Sequence, residues 1–256
     1  MHRTTTPFRL GTAGGVALVA FAAVAIGAGA GSPNRQTLPE RRSTTARSTA
    51  PARSTQGREI ELLARGNPRS RLRILVVGCI HGDECAGTAV ADWLERAKPE
   101  RDTRVWIVEN LNPDGYAARR RQNGRGVDLN RNFPWRWHAA GRLGDLHYTG
   151  PRALSEPESR FAAHLIERIR PQLTIWFHQP LGVVDDSGGR WALALRYSRL
   201  VGIPLVRLLR YAGSAATWQN NLYPNTSLVV ELPPGPLTRT RAARYGDAVL
   251  DLLGPT

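Results

Sequence analysis

A histidine and a glutamate follow the first strongly apolar stretch of the chain at a spacing that suits a metal ion. Residues 74–77 are Ile-Leu-Val-Val and predict a buried strand. Gly78 ends this run, and His81 and Glu84 follow on one loop. A histidine nitrogen and a carboxylate oxygen are ligands that Zn²⁺ takes in proteins. The alternative is a loop histidine beside a glutamate that stabilises the N-terminus of the next helix.

A third candidate ligand follows a second apolar run. Residues 173–177 are Leu-Thr-Ile-Trp-Phe and predict a strand that ends at His178. This histidine could be a hydrogen-bonded core residue. Together with His81 and Glu84, however, it completes the three protein ligands that a catalytic zinc site uses, with a fourth position left open. The sequence therefore predicts one Zn²⁺ ion held by these three side chains.

Glu231 is a candidate general base. It lies in Leu-Val-Val-Glu-Leu, residues 228–232, a run that predicts a fourth strand. A carboxylate in a buried strand is costly unless it is paired or functional. Facing the metal, it could take a proton from water and pass it to a leaving amine. The alternation of the run also permits Glu231 to point to solvent.

Arginines in a long polar loop are candidates for binding a substrate carboxylate. Residues 119–150 lack hydrophobic periodicity, and a loop of that length in a compact domain is usually functional or disordered. Arg121, Asn130 and Arg131 lie in this loop. The guanidinium group suits bidentate carboxylate binding. Because 34 of the 35 basic residues are arginines, most of them must simply be solvated.

The elements that must position these residues alternate between strand and helix. Predicted strands are residues 72–77, 105–108, 173–177 and 228–232, with 59–65 as a helix turn or an edge strand. Predicted helices are residues 87–98, 156–170 with Ser155 as N-cap, 191–200 and 238–253. Asn112-Pro113-Asp114-Gly115 is a predicted turn. This pattern predicts a three-layer α/β/α sandwich with a mixed, mostly parallel sheet, whose ligands bind at the carboxyl ends of the strands.

The N-terminal part of the chain has the composition of an export segment. Arg3 and Arg9 precede an uncharged stretch of apolar and small residues, and Ala28-Gly29-Ala30 offers a cleavage site. Residues 1–31 are therefore predicted to be a signal peptide, or a membrane anchor through residues 10–31. Residues 32–57 predict a disordered linker rich in Ser, Thr, Arg and Pro. The domain would then span residues 58–256 and lie outside the cytoplasm.

The formal net charge of +14 does not predict nucleic-acid binding. Residues 1–57 hold seven arginines against one acid, Glu40, and the rest of the charge is dispersed. The only dense basic cluster is residues 119–121. Cys79 and Cys85 flank the His81 loop. In an exported protein they could form a disulfide, and the alternative is that they pack beneath the loop.

Several motifs together resemble the zinc carboxypeptidase family in order and spacing. They are, in chain order, His81-Gly82-Asp83-Glu84, Asn112-Pro113-Asp114-Gly115, residues 126–133 (Gly-Val-Asp-Leu-Asn-Arg-Asn-Phe), Ser155-Glu156-Pro157-Glu158, His178 and Glu231. The resemblance covers about residues 72–233. Within the family, the short domain resembles the bacterial murein peptide amidase branch, which cleaves the γ-D-glutamyl–diaminopimelate bond of cell-wall peptides.

The resemblance implies a role for each candidate residue. His81, Glu84 and His178 match the zinc ligands, and Glu231 matches the general base. Asn130 and Arg131 match the clamp for the terminal carboxylate of the substrate, and Arg121 matches the arginine that polarises the scissile carbonyl, with Arg119 and Arg120 adjacent. Neither Tyr211 nor Tyr223 is assigned to the family's substrate-capping tyrosine.

The implied activity is that of an exported zinc peptidase acting on a peptide with a free carboxylate, such as a cell-wall stem peptide. A zinc-dependent deacylase of N-acyl amino acids, similar to aspartoacylase or desuccinylase, is the alternative, because those enzymes resemble the chain at the histidine–glutamate and Asp-Leu-Asn-Arg motifs. A non-catalytic cell-wall binding module would require a lost ligand or base, and the sequence retains them all.

Overall fold

The structure is a computed structural model that describes residues 52–100, 102–223 and 226–253. All of them belong to one compact unit, Arg42–Thr256. The predicted signal peptide or membrane anchor, residues 1–31, lies outside the described residues, as does the predicted linker up to residue 51. Within the described ranges, no helix is long and apolar enough to cross a membrane.

From β4 onward, strands and helices largely alternate along the described chain, as the hydrophobic pattern predicts. The strands are β1 (Ala52–Arg53), β2 (Glu59–Ile60), β3 (Leu63–Gly66), β4 (Leu72–Val77), β5 (Thr103–Val108), β6 (Leu173–His178), β7 (Val183–Asp185), β8 (Leu205–Val206) and β9 (Thr226–Glu231). The helices are α1 (Gly87–Arg96), α2 (Pro113–Ala118), α3 (Pro157–Ile169), α4 (Trp191–Val201), α5 (Ala215–Leu222) and α6 (Arg239–Asp251), with a 3₁₀ turn at Leu129–Arg131.

One mixed sheet organises the molecule. Among the described residues it has seven strands in the order β3-β5-β4-β6-β9-β7-β8. The four central strands, β5, β4, β6 and β9, run parallel, whereas β3 and β7 are antiparallel to their inner neighbours. The predicted mixed, mostly parallel sheet is thus confirmed. Four parallel strands bring four carboxyl ends to one edge, where such sheets bind ligands.

Helices cover both faces of the sheet, which explains the uninterrupted apolar run of β4. Successive side chains of a strand point to opposite faces. Ile74 and Val76 pack in one core with α1, α4 and α6, while Leu75 and Val77 pack in a second core with α3 and α5. The three-layer α/β/α architecture is confirmed.

The folded domain begins earlier than the predicted boundary at residue 58, because residues 52–57 are part of it. β1 pairs with β2. The Ser54 hydroxyl donates to Asp114 at 2.8 Å, and the Thr55 backbone N–H donates to Glu158 at 2.8 Å. The polar composition predicted disorder, but these polar groups bind buried carboxylates of two later motifs. The prediction that residues 52–57 belong to the disordered linker was therefore wrong.

Two local predictions need correction. Ser155 is not the N-cap of α3. Glu156 occupies that position, and the Ser155 hydroxyl donates to the Glu156 carboxylate at 2.7 Å. The predicted Asn-Pro-Asp-Gly turn opens the short helix α2, where the Asn112 side chain accepts from the Gly115 N–H at 2.9 Å. The ambiguous stretch 59–65 supplies β2 and the edge strand β3.

Cys79 and Cys85 form a disulfide across the loop that follows β4, with 4.7 Å between their Cα atoms. The sequence left open whether the two cysteines form a disulfide or only pack beneath the loop, and the structure shows the disulfide. The disulfide closes the loop that carries His81 and Glu84 and so restricts the positions that these side chains can take.

Candidate active site

All seven predicted site residues lie at the carboxyl edge of the central strands. His81 and Glu84 come from the loop after β4, His178 ends β6, and Glu231 ends β9. The loop between α2 and α3 contributes the other three. A cleft of about 440 Å³ is lined by the complete set: His81, Glu84, Arg121, Asn130, Arg131, His178 and Glu231.

The three predicted ligands converge on one point. The Nδ1 atom of His81 lies 2.9 Å from Oε2 of Glu84, and Nδ1 of His178 lies 3.1 Å from the same oxygen. One donor atom from each residue falls within 4.8 Å of the others. Two imidazole nitrogens and one carboxylate oxygen are a donor set that suits Zn²⁺. The residues present therefore fit the predicted ion.

The electrostatics of Glu84 and His178 favour binding a cation. Burial opposes ionisation of Glu84, but hydrogen bonds with His178 and His81 outweigh it and hold the pKa of Glu84 far below its usual range. Burial lowers the pKa of His178, which keeps its nitrogen available as a neutral ligand. A permanently ionised carboxylate and a neutral imidazole are the forms that bind a metal.

Asp128 orients His81, a role that the sequence analysis did not assign. The Nε2 atom of His81 lies 3.0 Å from the Asp128 carboxylate. The pKa of Asp128 is held well below its usual range, because its interactions with His81, His147 and Arg121 outweigh the effect of burial. Since an ionised carboxylate only accepts, Nε2 carries the proton and Nδ1 presents its lone pair to the ligand site. The signal was present in the sequence, because Asp128 lies inside the motif that supplies Asn130.

Arg121 enters the cleft, and its neighbours in the cluster do not. Its Nη1 donates to Glu84 at 2.7 Å and its Nε donates to Asp128 at 2.9 Å. Arg120 instead donates to a backbone carbonyl of its own loop, and neither Arg119 nor Arg120 lines the cleft. Of the three adjacent arginines, Arg121 is therefore the one that lines the cleft.

Glu231 faces the cleft rather than bulk solvent. It is the register partner of His178 on the parallel strand β6, so the two Cα atoms are direct neighbours across the sheet. Its Oε2 atom is buried and has no hydrogen-bond partner among the described residues. Burial, and then the negative charge of Glu84, raise the pKa of Glu231 to about 7. A base with a pKa near neutrality is well matched to proton transfer at neutral pH.

Asn130 and Arg131 are fixed side by side on the 3₁₀ turn. The Asn130 side-chain oxygen accepts from the backbone N–H of Ala215 at the start of α5, which leaves its amide nitrogen as the group able to donate to a ligand. The Arg131 guanidinium donates to the backbone carbonyl of Asn130 at 2.8 Å. It also stacks over the Tyr211 ring, 4.3 Å from its centroid. Tyr211 lines the cleft, whereas Tyr223 does not.

Comparison with known proteins agrees with this geometry. The family model described as zinc carboxypeptidase matches residues 36–183. Murein peptide amidase A of Escherichia coli is 33% identical over 182 residues, which cover 64% of this chain and 73% of that protein. The enzyme of the same name from Vibrio campbellii is 33% identical over 178 residues, covering 64% and 71% of the two chains.

Solved structures show the same relationship. The crystal structure of the murein-tripeptide amidase from Escherichia coli superposes with a TM-score of 0.62 at 30% identity, covering 79% of this chain and 89% of that one. Carboxypeptidase A from Helicoverpa armigera has a TM-score of 0.68 at 17% identity, covering 81% and 66%, and shows the shared fold. The chain belongs to the zinc carboxypeptidase family, and it is a hydrolase of the metallocarboxypeptidase type.

Proposed function

We propose that the protein is an exported zinc peptidase that hydrolyses the amide bond next to a residue with a free carboxylate in a murein stem peptide, such as the γ-D-glutamyl–diaminopimelate bond. One observation carries this proposal. A single cleft holds a His-Glu-His donor set, a carboxylate with an unpartnered oxygen, and an Arg-Asn pair that can bind a carboxylate.

We assign one Zn²⁺ ion to His81, Glu84 and His178. The ion supplies a Lewis acid that polarises the scissile carbonyl and activates water. Asp128 keeps the proton of His81 on Nε2, and the disulfide of Cys79 holds the loop on which two of the ligands lie. These contacts preorganise the donor atoms before the ion arrives.

Glu231 is the proposed general base. Because its pKa is about 7, the Glu231 carboxyl group is ionised in a substantial fraction of the molecules at neutral pH. In this form it can accept a proton from water. The same carboxyl group, now protonated, can then donate this proton to the nitrogen of the leaving amine. Its unpartnered oxygen is free for both transfers.

The arginines and Asn130 are proposed to bind the substrate. Arg131 presents a planar guanidinium group, which suits bidentate binding of the substrate's terminal carboxylate, and the Asn130 amide nitrogen adds a donor. The Nη2 atom of Arg121 has no described partner within the protein and can donate to the carbonyl oxygen on which charge develops. Tyr211, half-exposed beside Arg131, can close over the bound residue.

The choice of a murein peptide is supported by the two curated relatives and the solved structure at 30–33% identity, all three named for murein peptides. The extracytoplasmic location rests on the composition of residues 1–31. Mass spectrometry of the N-terminus of protein isolated from cells tests that part separately, since a retained Met1 would show that no signal peptide is removed.

Hydrolysis assays with the full chain test the substrate class. The substrates are murein tripeptide, ordinary dipeptides with a free C-terminus, and N-acyl amino acids, each with and without a chelator. We expect cleavage of the tripeptide that stops on chelation and returns with Zn²⁺. Cleavage of the N-acyl amino acids alone would contradict the proposal and establish a deacylase.

A further inference from the structure

Two of the sequence motifs carry buried carboxylates that the proposed reaction does not use. Asp114 belongs to the Asn-Pro-Asp-Gly motif and Glu158 to the Ser-Glu-Pro-Glu motif. Their exposed fractions are 2% and 0%, and neither residue lines the active-site cleft. A buried carboxylate is costly unless its oxygens accept hydrogen bonds. The groups that donate to these two carboxylates therefore indicate what the motifs hold together.

Both carboxylates bind one short segment near the start of the domain. We call its residues Ser54, Thr55 and Gln56 the strap. The Ser54 hydroxyl and the Gln56 N–H donate to the two oxygens of Asp114, at 2.8 and 2.9 Å. The Thr55 N–H donates to one oxygen of Glu158 at 2.8 Å, and the Thr55 hydroxyl donates to the other at 3.3 Å. The strap therefore joins the first turn of α2 to the first turn of α3.

Asn123 extends this contact into the loop that supplies Arg121. The Asn123 side chain is fully buried, and its amide nitrogen donates to the Thr55 hydroxyl at 3.3 Å and to Glu158 at 3.1 Å. Its side-chain oxygen accepts from the backbone N–H of Val127 at 3.1 Å, and its own N–H donates to the Val127 carbonyl at 2.9 Å. Asn123 therefore closes the loop just after Arg121 and anchors it to the strap.

Close packing and a second hydrogen bond strengthen this connection. A Cβ at Gly124 would lie 2.7 Å from the Asp114 carboxylate and 2.9 Å from the Gln56 side chain, so the loop backbone rests directly on both. At the start of α2, the Asn112 amide nitrogen donates to the backbone carbonyl of Arg121 at 3.1 Å. The strap, α2 and the loop are thus joined on two sides of Arg121.

The Arg121 side chain carries this connection into the cleft. Its guanidinium group donates to Asp128 and to Glu84, so its direction depends on where the loop places the Arg121 backbone. No residue of the strap lines the cleft. The strap can therefore affect the reaction only through the loop that it holds.

We propose that the strap is a positioning element for the reaction and holds Arg121 where it donates to the oxygen of the scissile carbonyl. This donor acts mainly on the transition state, because negative charge develops on that oxygen as water attacks. Loosening the strap should therefore lower kcat and leave KM nearly unchanged. The inference rests on the proposed function, because the role of Arg121 comes from it.

Steady-state kinetics on the murein tripeptide, with the full chain and saturating zinc, test this role. The double variant Ser54→Ala/Thr55→Val removes both hydroxyls of the strap and keeps its backbone N–H groups. We expect kcat to fall about tenfold and KM to stay within about twofold, since a small displacement of a catalytic donor has effects of this size. Arg53→Gln is the matched control, because the Arg53 side chain donates only locally, to the Gly57 carbonyl. It should change neither parameter.

A double-mutant cycle distinguishes positioning from general structural support. In an Arg121→Gln background, the double variant should cause no further loss of kcat, because the group that the strap positions is already absent. An equal loss in both backgrounds would overturn the inference. If thermal unfolding shows that the double variant does not fold, Thr55→Val alone replaces it in the same cycle, with an expected loss of about threefold.

Hydrogen–deuterium exchange tests the hold of the strap on the loop without a substrate. If the wild-type protein cleaves no murein peptide, the proposed function fails, and this measurement still decides the structural part of the inference. The backbone N–H groups of Arg125 and Val127 both donate to the Asn123 side chain. In the double variant they should exchange at least about fivefold faster, with exchange in β4 unchanged. Unchanged exchange at Arg125 and Val127 would overturn the inference.

Discussion

At the scale of single residues, the proposed metal site depends on a side chain that never touches the metal position. Asp128 contacts His81, Arg121 and the Asn130 N–H at once, at 3.0, 2.9 and 2.9 Å. It therefore couples a proposed ligand, the proposed carbonyl donor and the proposed carboxylate clamp. The residues that the sequence singled out by type line one cleft, but the contacts of Asp128 become visible only through distances.

Asp128→Asn should weaken zinc binding 10- to 100-fold, because the amide is a poorer acceptor for the His81 N–H and no longer polarises the ring. Competition with a chelator of known affinity measures this change. Asp92→Asn, at a half-exposed position on α1, is the control and should bind zinc like the wild type. Unchanged zinc affinity in Asp128→Asn would contradict the positioning role.

Glu231 should make the stability of the metal-free protein depend on pH. Its pKa is raised from 4.5 to about 7 on folding. Folding therefore takes up a proton between these values, and the free energy of unfolding declines as the pH rises from about 4.5 to about 7. Metal-free Glu231→Gln should match the wild type near pH 4 and exceed it by ~1–2 kcal/mol above pH 7, a value reduced for partial solvent exposure.

Thermal or urea unfolding across this pH range measures the effect, with Glu100→Gln as a control at an exposed position. The control should follow the wild-type profile. Parallel pH profiles for wild type and Glu231→Gln would show that the carboxylate is not buried as the structure describes.

At the scale of elements, the site depends on the loop before α5 as much as on the strands. Gly213 has φ +77°, and a Cβ there would overlap the backbone carbonyl oxygen of Arg131. Its N–H and C=O also pair with Trp135 and Phe133. This loop therefore holds the 3₁₀ turn that carries the proposed carboxylate clamp.

Gly213→Ala should displace Arg131 and raise KM for the murein tripeptide at least fivefold, and it should lower stability by ~1–3 kcal/mol through backbone strain. Gly57→Ala is a matched control, because Gly57 has φ +82° but a Cβ at that position would have no neighbouring atom within 4 Å. The control should lose some stability and keep its KM. An unchanged KM in Gly213→Ala would show that this loop does not contribute to substrate binding.

Strong hydrophobic periodicity explains which elements the sequence predicts. β4 and β6 are apolar because helices cover both of their faces, and such runs identify strands without knowledge of their partners. β7, β8 and α5 were missed. The first two have only three and two residues, and α5, Ala-Ala-Thr-Trp-Gln-Asn-Asn-Leu, has too little apolar contrast to show a helical face.

At the scale of the whole molecule, the parallel centre of the sheet unites residues that are far apart in the sequence. His81 and Glu231 are separated by 150 positions, yet both lie at the carboxyl edge of the central strands in one sheet. The alternation of strands and helices predicted this edge, and the order of the motifs implied the candidate ligands that lie there. The pairing of residues 54 and 55 with buried carboxylates depends on three-dimensional contacts that no local pattern encodes.

The most direct test of the account is a paired measurement of zinc content and murein tripeptide hydrolysis on wild-type protein and Glu231→Gln. We expect one zinc ion per chain in both proteins, because Glu231 is not a ligand. We expect the variant to lose hydrolysis by at least a hundredfold, because it lacks the base. Hydrolysis retained in Glu231→Gln, or a wild-type protein that is active without zinc, would contradict the central claim.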